Sequence, residues 1–198
     1  MSDPMAHLVD DDEAIRDALA WLLKSRGLPC TAYACAEDFL AAWKPDTAGC
    51  IVLDMRMPGM SGLDLFETLT ERGNRVPVIF LTGHGDVPLA VNALKKGAFD
   101  FCEKPFNDNL LVNRVEEAMA HHAKERAAHA SADSVNARLN TLTSRERQIM
   151  ELVLAGKFNK VIADELNISM RTVEVHRANL FDKMAVKTAV ELANLLKR

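Results

Sequence analysis

Residues 49–67 read GCIVLDMRMPGMSGLDLFE. The apolar run Ile51-Val52-Leu53 stops on an acid, Asp54, and loop residues then give way to a helical pattern. A short, continuously apolar run is the pattern of a strand buried on both faces, as in a parallel sheet. A strand of that kind that exits on a carboxylate needs a reason outside its own local structure.

The neighbouring sequence repeats the pattern. Strand-like runs occur at 6–9, 28–33, 76–82 and 98–103, besides 50–53. Helix-period segments lie between them at 13–25, 36–43, 62–72, 87–96 and from 107 onward. Alternation of this kind predicts β-α-β units and a parallel sheet, an α/β domain of about 120 residues. Ser61, Asp86 and Asn107 stand where helices begin and offer side-chain caps, and Gly27, Gly73 and Gly97 stand where helices stop. Open sheets of this type place their sites at the carboxyl ends of the strands.

Those ends carry a coherent set. Strand one runs into Asp10 and Asp11, strand three into Asp54, strand four into Thr82, and strand five into Lys104-Pro105. Taken singly, an acidic triplet is a solvated turn and a terminal Thr or Lys means nothing. Together, three carboxylates on one edge repel one another unless a cation is shared. A hard divalent ion such as Mg²⁺ suits a few carboxylates, waters and phosphate oxygens. Carboxylates, a hydroxyl and an ammonium around one acid suit transient phosphorylation of Asp54, with Asp54 as nucleophile. Met57-Pro58-Gly59 permits a sharp turn after the acid.

Composition sets wider bounds. The chain has 198 residues and 48% hydrophobic content, enough core for one or two domains. Residues 1–120 carry 11 Lys+Arg against 19 Asp+Glu, and 121–198 carry 13 against 9, so an acidic part precedes a basic one. The basic end suggests nucleic acid. Cys30, Cys35, Cys50 and Cys102 form no C-x-x-C pair, which leaves them as reduced core thiols rather than a zinc or redox site. No apolar run approaches the roughly 18 residues of a membrane span, and MSDPMAHLVDDD lacks a signal-peptide layout, so no membrane partner and a cytoplasmic location are expected.

Residues 121–141 lose the large apolar residues and read as a linker, helical at its start, with SADS (131–134) interrupting it. From Leu142 the pattern is all-helical: a helix ended by Gly156, then NKVIADEL (159–166), a break at NIS (167–169), MRTVEVHRANLFDKM (170–184) and TAVELANLL (188–196). The middle pair reads as a helix-turn-helix whose second helix would enter the major groove. Its buried stripe would include Val173, His176 or Leu180, and Met184. The other face offers Arg171, Glu174, Val175, Arg177, Ala178 and Asn179 to bases and phosphates, and Lys160 is placed for a phosphate. The last helix is a candidate dimer surface, with core packing the equal alternative.

LVDDDEAIR, VLDMRMPGMSGLDL, VIFLTGHGDVPLAVNALKKGAFDF and EKPF together resemble the receiver domain of two-component response regulators. LTSRERQIMELVLAGKFNKVIADELNISMRTVEVHRANLFDKM resembles the LuxR/NarL/FixJ-type DNA-binding domain, with TVEVHRAN nearer the FixJ branch. The resemblance implies a flavodoxin-like receiver of strand order 2-1-3-4-5 over 1–122, a partly helical linker over 123–139, and a LuxR-type helix-turn-helix domain over 140–198. It implies that Asp54 takes phosphate from a sensor histidine kinase. Asp11, Asp54 and the Arg56 carbonyl would ligate Mg²⁺, with Asp10 acting through water and Lys104 pairing with the acid or phosphate. Thr82 and Phe101 would be the switch residues, Lys104-Pro105 is often cis in such folds, and Arg56 and His84 flank the opening. Thr172 joins the DNA-contact set. Partners would be promoter DNA, a second copy on phosphorylation, and RNA polymerase.

Two rivals follow from the residues themselves. A Mg²⁺-dependent aspartyl-phosphate phosphatase of the haloacid dehalogenase kind needs a second acid two residues after the nucleophile, where this chain has Arg56. No P-loop is present either, so at most slow self-dephosphorylation is expected rather than enzyme turnover. A DNA-binding regulator controlled without phosphate would have less reason to keep the full acid, Thr and Lys set.

Overall fold

A computed structural model of the chain describes residues 3–83 and 86–197. Two compact units divide it, Met1–Arg126 and Ala127–Arg198.

In the first unit, strands β1 (Met5–Val9), β2 (Cys30–Tyr33), β3 (Gly49–Asp54), β4 (Val78–Thr82) and β5 (Asp100–Glu103) form one sheet in the order β2-β1-β3-β4-β5. Every neighbouring pair is parallel. Helices α1 (Glu13–Ser25), α2 (Ala36–Ala42), α3 (Gly62–Glu71) and α4 (Val87–Lys95) alternate with the strands, and α5 begins at Asp108. Successive strand residues face opposite sides. Cys50 and Val52 pack with Leu19, Leu23 and Val115 under α1 and α5. Ile51 and Leu53 pack with Phe39, Leu65 and Ala90 under α2, α3 and α4. Burial on both faces explains the uninterrupted apolar runs, each large side chain contributing roughly 1.5–3 kcal/mol.

His7 is the exception inside this core. It is buried between Tyr33 and Phe39, with ring centroids 6.2 and 5.6 Å away, and neither ring nitrogen has a well-formed hydrogen-bond partner among the described residues. A second buried histidine, His122 on α5, accepts the Gly49 N–H at Nδ1 (3.1 Å). Gly49 has φ +119°, and a Cβ there would lie 1.8 Å from the Met5 carbonyl oxygen, so only glycine fits.

Two local expectations are corrected. Helix α5 runs unbroken from Asp108 to Asn140, through the predicted interruption at 131–134, so the linker is wholly rather than partly helical. Ser and Asp cost only about 0.5 kcal/mol each in a helix, alanines surround them, and Val135 and Leu139 beyond are held by the second unit's core. Asp86 does not cap α4, since its side chain accepts no backbone N–H there. Ser61 and Asn107 do cap, Ser61 in a reciprocal capping box with Asp64.

The second unit adds α6 (Ser144–Leu154), α7 (Asn159–Leu166), α8 (Met170–Met184) and α9 (Ala189–Leu196) around Ile149, Ile162, Val173, Leu180, Met184 and Leu192. Thr143 and Glu146 close a capping box on α6, and buried Glu146 also receives Lys183 of α8 at 2.7 Å. No helix among the described residues is long and apolar enough to cross a membrane.

Candidate functional site

The strand order reverses between β1 and β3, and the pocket lies where both strands end. Register pairs Val9 with Leu53, which sets Asp10 beside Asp54. Ligand oxygens of Asp10, Asp11 and Asp54 all lie within 4.8 Å of one another. Asp10 is buried and Asp11 exposed. Lys104 reaches back from β5, its Nζ 2.8 Å from Asp10 Oδ2 and 3.1 Å from Asp54 Oδ2. Its own N–H donates to the Thr82 carbonyl at 2.7 Å, and the Lys104–Pro105 bond is cis.

Each pocket residue is held by local structure. Asp10 Oδ1 accepts the Asp12 N–H at 2.9 Å, Arg16 Nη1 donates to the Asp10 carbonyl at 2.8 Å, and Asp12 caps α1. The third member of the DDD triplet is therefore a helix cap, and the first two are pocket. Gly62 lets α3 start directly against the strand end, because a Cβ there would sit 2.1 Å from the Asp54 carbonyl oxygen. Burial pushes the Asp54 carboxyl above its ordinary range, against the pull of Lys104 and with a further push from Asp10. Burial works against the Lys104 charge, yet Asp10 and Asp54 hold its ammonium above the usual lysine range. Thr82 Oγ1 is wholly buried and has no hydrogen-bond partner among the described residues. Phe101 is half-buried against the core under α4.

The side chain of Arg56 points to a residue that the sequence did not single out for the pocket. Its Nε donates to Asp86 Oδ1 and Oδ2 at 2.9 and 3.0 Å, and Nη2 also engages Oδ1. Asp86 is buried while the Arg56 side chain is 74% exposed, so the guanidinium is the solvent-side lid on a buried carboxylate. Glu37 of α2 is a second such residue: its Oε1 accepts the Met60 N–H at 3.1 Å and ties down the loop after Asp54. Nothing local marks either contact; each joins residues 20 or more positions apart. His84 lies outside the described residues.

The helical face divides. Arg171, Glu174, Val175, Ala178 and Asn179 of α8 are exposed, as is Lys160 of α7. Val173, Leu180 and Met184 are the buried stripe, with His176 half-buried beside it. Thr172 and Arg177 are partly engaged. The Thr172 hydroxyl lies 2.8 Å from that of Ser169, and Arg177 Nη1 donates to Asn159 Oδ1 while its guanidinium sits 5.5 Å over the Phe181 ring. Asn167, in the left-handed conformation at φ 52°, makes the tight turn between α7 and α8. A carboxylate cluster at the reversal point of a flavodoxin-like sheet, carried with a helix-turn-helix, defines a class: a receiver domain joined to a DNA-reading domain.

Residues 6–116 match the response regulator receiver domain family, and residues 140–196 match the bacterial regulatory proteins, luxR family. The C4-dicarboxylate transport transcriptional regulatory protein DctR of Rhodobacter capsulatus is 48% identical, over 96% of this chain and 97% of that one. The transcriptional regulatory protein FixJ of Rhizobium meliloti is 45% identical, over 98% and 96%. Among solved structures, the response regulator StyR superposes with a TM-score of 0.94 at 40% identity, covering 99% of both chains. Full-length FixJ from B. japonicum gives 0.62 at 42%, covering 100% and 97%. The chain belongs to the two-component response regulators of the FixJ type, a family of transcriptional regulators that join a receiver to a LuxR-type DNA-binding domain.

Proposed function

We propose that Asp54 is the phosphoryl acceptor, that a sensor histidine kinase supplies the phosphoryl group, and that its arrival changes how the chain pairs and binds promoter DNA. The observation that carries this reading is Lys104 held between Asp10 and Asp54, with a buried Thr82 hydroxyl at the end of the neighbouring strand that has no partner among the described residues. An Asp54 oxygen would attack phosphorus as the bond to the donor's imidazole nitrogen breaks, leaving a neutral imidazole once that nitrogen is protonated. Lys104 would then move its contact from the carboxylate to the phosphoryl oxygens, and Thr82 Oγ1 would gain the acceptor it lacks.

The donor set fits a magnesium ion: three carboxylates converge within 4.8 Å, and burial already disfavours the charge on Asp54. Asp11, Asp54 and the Arg56 carbonyl would hold it, with Asp10 acting through water. Once bound, such an ion neutralises developing charge on the phosphoryl oxygens. Movement of Thr82 would open space for Phe101 and alter the face formed by α4 and β5, where Val91 is exposed. That face would then pair with a second copy. On DNA, Arg171, Glu174, Val175 and Asn179 would read bases, with Lys160, Thr172 and Arg177 on the backbone, and RNA polymerase would be the eventual partner. Slow self-dephosphorylation would reset the switch. The reading keeps working boundaries of 1–122, 123–139 and 140–198, and a cytoplasmic location.

Asp54→Asn is expected to abolish labelling by radioactive acetyl phosphate in the presence of Mg²⁺, with the label in the native chain mapping to Asp54. Label persisting at another residue overturns the assignment. A native chain that never takes label yet binds DNA with full affinity favours control without phosphate.

A further inference from the structure

We infer that Phe158 is an apolar anchor that packs on the deoxyribose backbone of duplex DNA beside the reading helix, a role that rests on α8 being the groove helix. Phe158 is 81% exposed, more than any other large apolar side chain described. It occupies the N-cap of α7 and gives that helix no side-chain cap. The other three helices that begin in this unit are capped by Thr143, Ser169 and Thr188. The position therefore gives up the hydrogen bond that a Ser or Asp would supply, and it also leaves an aromatic ring in water. Both costs fall on the free protein, so the compensation lies in a complex.

The surroundings name the occupant. Phe158 opens onto a groove of about 540 Å³ shared with Lys157, Asn159, Lys160, Met170 and Arg177. Among the described residues no carboxylate lines that groove. Lys160 is exposed, and although Lys157 is held by Glu165 at 2.6 Å, the rim remains basic. Met170 is the first residue of α8 and is 48% exposed, so the patch is continuous with the reading face. Apolar surface rimmed by cations with no acid matches a sugar–phosphate strand, which presents apolar ribose edges between phosphates. A protein partner would more often bury such a patch in a charge-depleted core.

The test uses the full chain, with acetyl phosphate, and a duplex selected by that chain from a randomised pool. Binding is measured over a salt series. Phe158→Ala is expected to weaken binding about tenfold at every salt concentration, because apolar contact is lost and no counterion release changes. Phe158→Leu is expected to stay within about threefold. Phe158→Ser supplies a cap and is expected to raise the melting temperature of the DNA-binding unit by about 4 °C while weakening DNA binding. Opposite movement of stability and affinity separates a DNA contact from a packing role. Unchanged affinity in Phe158→Ala, or a lowered melting temperature in Phe158→Ser, overturns the proposal. If Arg171→Ala also leaves affinity unchanged, the groove-helix reading itself fails; if Arg171→Ala weakens binding and Phe158→Ala does not, only the anchor fails.

Discussion

The pocket and the reading face use charge in opposite ways. In the pocket, Asp10, Asp54, Lys104, Arg56 and Asp86 come from separate elements, and each charged group already faces another. On the reading face, exposed Arg171, Glu174, Val175 and Asn179 belong to one helix and point into solvent. The first arrangement is stored inside the fold and depends on how closely backbones approach. The second is displayed on a finished scaffold and is completed by a partner. Changes to the pocket's scaffold should therefore act steeply, and changes to the reading face should act in small, separable steps.

Gly62→Ala is the sharpest way to press that contrast. The new methyl would lie 2.1 Å from the Asp54 carbonyl oxygen, and that neighbour is backbone, which has little freedom to yield. We expect a loss above about 3 kcal/mol in the receiver's urea transition, with the transition of the DNA-binding unit unmoved. A loss below about 1 kcal/mol would show that α3 slides easily and that the pocket is not set by backbone approach.

Acid pH should separate the regions next. Burial holds His7 below its ordinary value. Burial, with Arg126 nearby, does the same for His122, whose Nδ1 must stay unprotonated to accept from Gly49. Both groups bind protons more readily in the unfolded chain. Their contribution is thus complete above the ordinary histidine value near 6.5 and is lost as pH falls through the lower folded values. The receiver's urea midpoint should drop between pH 7 and pH 5, and His7→Leu should make that drop shallower. An unchanged slope would mean that His7 takes up its proton equally in both states.

The sequence made the pocket legible and hid its fastenings. Asp10, Asp54, Thr82 and Lys104 sit at ends of apolar runs, and a parallel sheet brings such ends together, so periodicity alone located them. Asp86 looked like a helix cap because it precedes α4, and only tertiary structure shows its carboxylate turned to Arg56. The unbroken α5 is not legible in the sequence because Ser131, Asp133 and Ser134 are poor helix formers, while the contacts of Val135 and Leu139 that sustain the helix are non-local. On the reading face, the 3.6 period separated buried from exposed positions in α8. It had no means of showing that Arg177 is drawn toward Asn159, since that pairing joins two helices.

The smallest expected effect tests the face's modularity. Lys160 is exposed on α7 and lies on the groove beside Phe158. Its contribution to binding is then electrostatic, through release of roughly one counterion from a contacted phosphate. Lys160→Ala should weaken binding to nearly all duplexes alike and lower the slope of log affinity against log salt by about 1, leaving sequence preference and both unfolding transitions in place. Phe158→Ala should do the reverse, lowering affinity with the slope intact. If both substitutions change the slope, the two side chains share one phosphate and the patch is a single electrostatic contact. If neither changes affinity, α7 stands away from the backbone, and the display model of the reading face fails at its edge while Gly62 and the pocket are untouched.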